Sequence, residues 1–242
     1  MVRLLFAYIF SAILTTFWGL LALILALFSN RLAIILAVRN WGRTMLWAWG
    51  IKLEIEGFEK LPQDKSTIIM YNHQSSFDIL VFSAVIPFEW KAIMKKEVLS
   101  IPFVGWVSKI GGHYFVSRDG SSDDTKEVKK IVSEIKTGPS LILAPEGTRS
   151  YDGRLLPFKK GGFLIAMLAG VPVVPMLIWG GKNIKSKNKF KLNSNRVINV
   201  KIFDPIDVSL LPRGKKGREE LENSVRDLLE SEVDKYLAME SP

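Results

Sequence analysis

From Leu4 to Phe28 the chain runs for 25 residues without a charged side chain. At ~1.5 Å per residue, a helix of that length covers a ~30 Å hydrocarbon layer. A half-exposed helix of a water-soluble domain does not carry so long an uncharged run. A cleaved signal has an apolar core of only ~7–15 residues and a small-x-small site after it, and no clear site follows here. The run is therefore expected to act as a membrane-associated helix. Ser29-Asn30 breaks it and suits the cap of a second helix, which starts near Arg31 and carries Leu32–Val38 and then Arg39 and Arg43. Trp41, Trp47 and Trp49 accompany those arginines, a composition suited to the headgroup layer. Residues 1–50 thus predict a hydrophobic two-helix membrane-anchoring hairpin. Its first helix either crosses the bilayer or dips with the second into one leaflet.

Charge divides the chain at the same place. Residues 1–51 hold four bases and no acid, whereas the remainder holds 29 bases against 24 acids and keeps +5 of the net +9. Such an excess favours anionic partners such as acidic lipid, a phosphorylated substrate or an acidic carrier protein. The bases follow no recognised nucleic-acid motif, so no nucleic-acid partner is expected. The absence of cysteine excludes thiolate zinc sites, iron–sulfur clusters and a cysteine nucleophile. His73 and His113 are the only histidines, which argues against a polyhistidine metal cage.

Residues 51–242 alternate strand and helix patterns, which predicts an α/β domain with a mixed, mostly parallel sheet flanked by helices. Expected strands cover 51–57, 66–71, 90–94, 112–116, 140–144, 173–178 and 196–203. Expected helices cover 77–85, a stretch starting at Lys95-Lys96-Glu97, 124–137, 163–169 and 218–239.

Three polar clusters each follow a short apolar strand, where α/β folds place ligands. In the first, a loop and one helical turn bring His73 and Asp78 within reach of each other. A carboxylate on one imidazole nitrogen fixes the tautomer and leaves the other nitrogen as a base. Ser75 and Ser76 are nucleophiles by composition alone and suit helix capping equally well. A hydroxyl on the substrate is the simpler nucleophile. The second cluster is Gly112–Arg118 and the third Glu146–Ser150, with Lys159-Lys160-Gly161 beside it. Arginines at strand ends offer the planar fork that a phosphate monoester accepts. Glu146 is also placed to pair with Arg149, and His113, flanked by strand residues, reads as structural.

Asn-His-Gln-Ser-Ser-Phe-Asp (72–78), Gly112 to Arg118, Pro-Glu-Gly-Thr-Arg-Ser (145–150) and Val-Pro-Val-Val-Pro (171–175) resemble, in order, the four blocks of the glycerolipid acyltransferases. Among these the chain is most similar to the 1-acyl-sn-glycerol-3-phosphate (lysophosphatidate) acyltransferases. Ser117 stands where that pattern commonly has an acid, and Ala144 where it commonly has Phe. The resemblance implies an enzyme in which His73 and Asp78 are catalytic. It assigns Gly112, Arg118, Glu146, Gly147, Thr148 and Arg149 to the glycerol-phosphate site. It further implies transfer from acyl-acyl carrier protein or acyl-CoA to lysophosphatidic acid, no metal and no other cofactor, and residence at the cytoplasmic face of a bacterial-type inner membrane. Other acceptors (glycerol 3-phosphate, another lysophospholipid) and a non-catalytic lipid carrier remain open. Finally, Lys182 to Lys201 contains seven bases and no acid, either a solvated loop or a cationic surface for anionic headgroups or an acidic carrier protein.

Overall fold

Seven short segments, alternating at the sheet edge and wholly apolar at its centre, assemble into one mixed sheet. A computed structural model of the chain describes residues 2–116, 123–184, 192–194 and 196–240. Its strands are β1 (Lys52–Glu56), β2 (Ile68–Tyr71), β3 (Trp90–Lys95), β4 (Tyr114–Val116), β5 (Ser140–Leu143), β6 (Val173–Trp179) and β7 (Val197–Ile202). They lie in the order β1-β7-β6-β2-β5-β3-β4. The five strands from β6 to β4 are mutually parallel, β7 is antiparallel to β6, and β1 runs with β7.

The helices are α1 (Val2–Ala26), α2 (Asn30–Leu32), α3 (Arg39–Ala48), α4 (Asp78–Val85), α5 (Val104–Ile110), α6 (Asp123–Ile135), α7 (Lys160–Ala169) and α8 (Lys215–Glu240). Between α2 and α3 the backbone stays helical but widens to π-type winding over Ala33–Val38. Two layers cover the central strands, which explains why β2, β5 and β6 read as continuous apolar runs. Side chains alternate across the sheet. Ile69, Ile142, Val174 and Met176 meet α3 and α4, while Ile68, Met70, Leu141 and Leu177 meet α6, α7 and α8. Each such side chain contributes ~1.5–3 kcal/mol when fully buried.

The apolar start is joined to this domain by specific contacts. Trp18 and Trp41 donate their indole N–H groups to Thr44 Oγ1 (2.9 Å) and Thr15 Oγ1 (3.0 Å), and Trp49 donates to Ser11 Oγ (2.8 Å). Trp41 and Trp49 therefore point inward, contrary to the headgroup placement expected for them; Trp47 is the exposed one, at 73%. Gly42 lets α3 approach α4 at backbone distance, since a Cβ there would lie 2.7 Å from Leu80 O and 2.8 Å from Ala84 N. Arg39 Nε donates to Ala84 O at 3.4 Å, at the end of α4. It is held below the ordinary guanidinium range by burial and by the charge of Arg43. The opposite side of α1 is open: Leu5, Phe6, Ile9, Ile13, Phe17 and Ile24 are all exposed. By length and composition alone, Leu4–Ala26 is long and apolar enough to cross a membrane.

All seven expected strands are present. The helix expected at Lys95-Lys96-Glu97 is a single 3-10 turn, Lys96–Ser100. α5 was not anticipated, because Ile101-Pro102-Phe103 reads as a break. Phe103 enters α5 with φ of 60°, a left-handed value that bulky residues rarely adopt.

Candidate active site

The site is built where β2 and β5 end side by side. At the end of β2, Asn72 reaches across to β6: its Nδ2 donates to Ile178 O at 3.0 Å, and Ile178 N donates to Asn72 Oδ1 at 2.7 Å. This fixes the point at which the chain leaves the sheet. The next residue, His73, presents a ring whose Nδ1 lies 2.8 Å from Asp78 Oδ2. That oxygen also accepts from Gln74 N and Ser75 N, both at 2.9 Å. Asp78 is completely buried, while the His73 side chain keeps 27% of its surface open. With two backbone N–H groups already donating to that oxygen, it faces Nδ1 as an acceptor; the matching tautomer of the neutral ring has its proton on Nδ1 and a lone pair on Nε2. Asp78 opens α4, and Ser75 Oγ accepts from Phe77 N at 3.2 Å just before it. Ser75 thus shapes the helix start and Ser76 is exposed.

Glu146 follows β5 and is buried at 3% exposure. Its Oε1 accepts from His73 N at 2.8 Å and its Oε2 from Leu156 N at 2.9 Å. Burial raises its pKa above the ordinary glutamate value, against the lowering effect of those two backbone bonds. The ion pair to Arg149 that the sequence allowed is not formed; the carboxylate clamps two loops instead. Ser150 N completes the join by donating to His73 O at 2.8 Å. Gly147 has φ of 66°, and a Cβ on it would lie 2.8 Å from Lys159 Cε. The left-handed φ is what favours glycine here, with the lysine stem passing beside it. Thr148 and Arg149 are exposed beside it.

Gly112 does not join these residues. Tyr114 pairs with Ile93 and Ala92 with Ile142, which in turn pairs with Ile69, so Gly112 lies near the start of the strands. His73 lies about five residue steps further on, roughly 16 Å along the strands. A Cβ on Gly112 would instead meet Lys91 Cε at 3.3 Å. The expected inclusion of Gly112 in the glycerol-phosphate site is therefore not supported by its position. Arg118 lies outside the described residues, as do Ser117, Lys185, Lys187, Lys189 and Lys191. The three described members of the basic stretch are all engaged. Lys182 pairs with Glu240, Lys201 with Glu56 and Glu232, and Arg196 donates to Gly50 O and Asn193 O.

His113 is buried. It stacks on Trp90 at 5.2 Å, and its Nδ1 accepts from Ala92 N at 2.9 Å. Burial first, and then the charge of Lys91, lower its pKa to about 4. It also borders a narrow apolar cavity of ≈ 50 Å³ formed with Trp18, Trp41, Ile79, Phe103 and Val107. No group of three or more His, Asp or Glu suited to a metal ion occurs among the described residues. Sequence reasoning missed Asn72, the clamping role of Glu146 and, as described below, Gly181. The signals were there in the Asn before His73 and the Gly-Gly pair after β6.

A buried carboxylate orienting a part-open imidazole, at the ends of parallel strands, is an arrangement for taking a proton from a hydroxyl. The comparisons agree with the sequence blocks around it. The profile of the family described as Acyltransferase matches residues 52–179, and the chain belongs to that family. Among similar relatives is a 1-acyl-sn-glycerol-3-phosphate acyltransferase of Cocos nucifera, 36% identical over 68% of this chain and 53% of that protein. Another of the same name, from Saccharomyces cerevisiae, is 32% identical over 87% of this chain and 70% of its own length. The chain spans about half of the length of most such relatives. The crystal structure of the 1-acyl-sn-glycerophosphate (LPA) acyltransferase PlsC from Thermotoga maritima superimposes with a TM-score of 0.81 at 25% identity. It covers 100% of this chain and 97% of its own.

Proposed function

We propose that the protein transfers a fatty acyl group from an acyl thioester, of acyl carrier protein or CoA, to the sn-2 hydroxyl of 1-acyl-sn-glycerol 3-phosphate, giving phosphatidic acid. The observation that carries this reading is the His73–Asp78 pair, with its carboxylate held by two further backbone donors. His73 Nε2 takes the proton of the acceptor hydroxyl as its oxygen attacks the thioester carbonyl. Asp78 stabilises the imidazolium that forms. The tetrahedral intermediate collapses with loss of the C–S bond, and the imidazolium returns the proton to the thiolate. No acyl-enzyme is needed, and neither a metal nor another cofactor has a part in this scheme.

Gly147, Thr148 and Arg149, with Glu146 holding their loop against His73, form the proposed phosphate side of the site, and Arg118 is its expected partner. Exposure of Arg149 at the same edge as His73 supports this. Residues 1–50 act in this reading as a membrane-associated helical hairpin and residues 51–242 as the acyltransferase domain, at the cytoplasmic face of the membrane. The open apolar side of α1 and the exposed Trp106 and Ile110 of α5 support the membrane association in this reading. Ile79, next to Asp78, borders the apolar cavity, so apolar lining begins one residue from the carboxylate that orients the proposed base.

The test is incubation of membranes carrying the protein with labelled acyl donor and lysophosphatidate, followed by lipid extraction. Labelled phosphatidic acid is expected; its absence with both donors overturns the reading. In the same assay Arg149→Ala should raise the KM for lysophosphatidate while leaving the KM for the acyl donor near its original value. An unchanged lysophosphatidate dependence would put the phosphate elsewhere.

A further inference from the structure

An acidic residue at the C-terminal end of a helix faces the negative end of the helix dipole and is locally unfavourable. Glu240 ends α8 in that position and is held there by three donors. Its Oε1 accepts from Trp179 Nε1 and Asn183 Nδ2, both at 2.9 Å, and its Oε2 lies 3.2 Å from Lys182 Nζ. The partners are the last residue of β6 and two residues of the turn that follows it. The arrangement ties the far end of the chain to residues 179–183.

That turn is the wall behind the proposed catalytic pair. A Cβ on Gly181 would lie 2.9 Å from Ser75 Cβ and 3.3 Å from Asp78 Oδ1, so the glycine backbone sits directly against both. Asp78 Oδ1 has no hydrogen-bond partner and is fully buried, so packing against this turn is what confines it on that side. A second route runs through Lys182. Its ammonium donates to Asp152 O at 2.9 Å and lies 4.4 Å from the centre of the Trp179 ring. The neighbouring Gly153 O accepts from Gln74 Nε2 at 3.2 Å, and Gln74 N is one of the donors to Asp78. Both routes from Glu240 converge on residues 74–78.

We propose that Glu240 is a positioning residue for the His73–Asp78 pair, acting through the Trp179–Asn183 turn. It touches no reacting atom. Its carboxylate holds the turn, the turn holds Asp78 and the 74–75 backbone, and these set the direction of the His73 ring. The inference rests on the acyl-transfer reading, and it assigns a catalytic consequence to a segment outside residues 52–179 matched by the family profile.

Glu240→Ala should lower kcat by about 10- to 100-fold, the loss expected from a displacement of an ångström or less, with the KM for both substrates unchanged. Purified protein labelled with ¹³C-histidine gives a second readout, because the chain has only two histidines. The His73 ring resonance should move in Glu240→Ala while that of His113, across the sheet, stays in place. Lys182→Met leaves the bonds to Trp179 and Asn183 intact, cuts the second route, and should move the same resonance by less. If Glu240→Ala does not fold, Lys182→Met decides by the same two measurements. A variant with unchanged kcat, or one whose kcat falls while the His73 resonance stays still, overturns the proposal. Turnover of the unaltered protein on lysophosphatidate, measured first, tests the acyl-transfer reading separately.

Discussion

The two histidines of this chain occupy opposite ends of the parallel strands, and the contrast between them shows what makes an imidazole a base. His73 follows β2 with its Nδ1 against a carboxylate; His113 precedes β4 with its Nδ1 against the Ala92 N–H. Against an acceptor, Nδ1 must carry the proton, which frees Nε2. Against a donor, Nδ1 supplies the lone pair, and the proton of the neutral ring sits on Nε2. The ring chemistry is the same and the partner reverses it. Burial then separates them further, since His113 stacks under Trp90 while His73 keeps an open edge.

The strongest way to break this contrast is to exchange consequences between the two. His73→Ala should reduce acyl transfer by about 10²–10⁴-fold, the contribution of a positioned base, while the protein stays folded and membrane-bound. Wild-type turnover in that variant would refute the assignment of the base. Asp78→Asn should cost a similar factor, because an amide can turn its N–H₂ toward Nδ1 and favour the wrong tautomer. Activity that survives Asp78→Asn would mean that tautomer control is not its role. Gly181→Ala should lower kcat by about tenfold through displacement of Ser75 and Asp78. A full-activity Ala variant would show that the turn yields without consequence.

His113 should report on stability instead. His113→Leu leaves the Ala92 N–H buried without an acceptor, a loss of about 1–3 kcal/mol, with turnover changed only a few-fold; thermal melts and initial rates separate the two. A pH series sharpens this. The folded pKa of about 4 lies below the usual 6.5, so between those values the unfolded chain binds the proton and the folded one does not. The stability present above pH 6.5 is therefore lost as the pH falls toward 4, by up to about 3 kcal/mol. In His113→Leu this slope should flatten; an unchanged slope would assign the effect to other groups.

Much of this fold is legible in the residues. The alternation in Lys52–Glu56 and the apolar runs at 68–71 and 141–144 fix edge and centre of the sheet, because burial on one face or two dictates those patterns. The His73–Asp78 pair is legible because its two residues are near neighbours in sequence. Glu146 shows the opposite case. Its type and position suggest a charge partner, yet its oxygens take backbone donors 73 and 10 residues away, which no local pattern announces. Gly112 shows the same limit: a motif places residues in order, and only the strand register shows which end of the sheet they reach. The contacts of Trp41 and Trp49 likewise depend on where hydroxyls of α1 fall, so composition alone misplaced them.

The close approach at Gly42 has a consequence for biosynthesis. The α4 backbone that receives it lies about 40 residues downstream, at Leu80 to Ala84. At ~5–20 residues per second, α3 leaves the ribosome about 2–8 s before its partner. During that interval Met45 and Leu46 have only α1, or lipid, to cover them. Early contact with a bilayer would therefore protect the nascent chain from aggregation before its catalytic half exists.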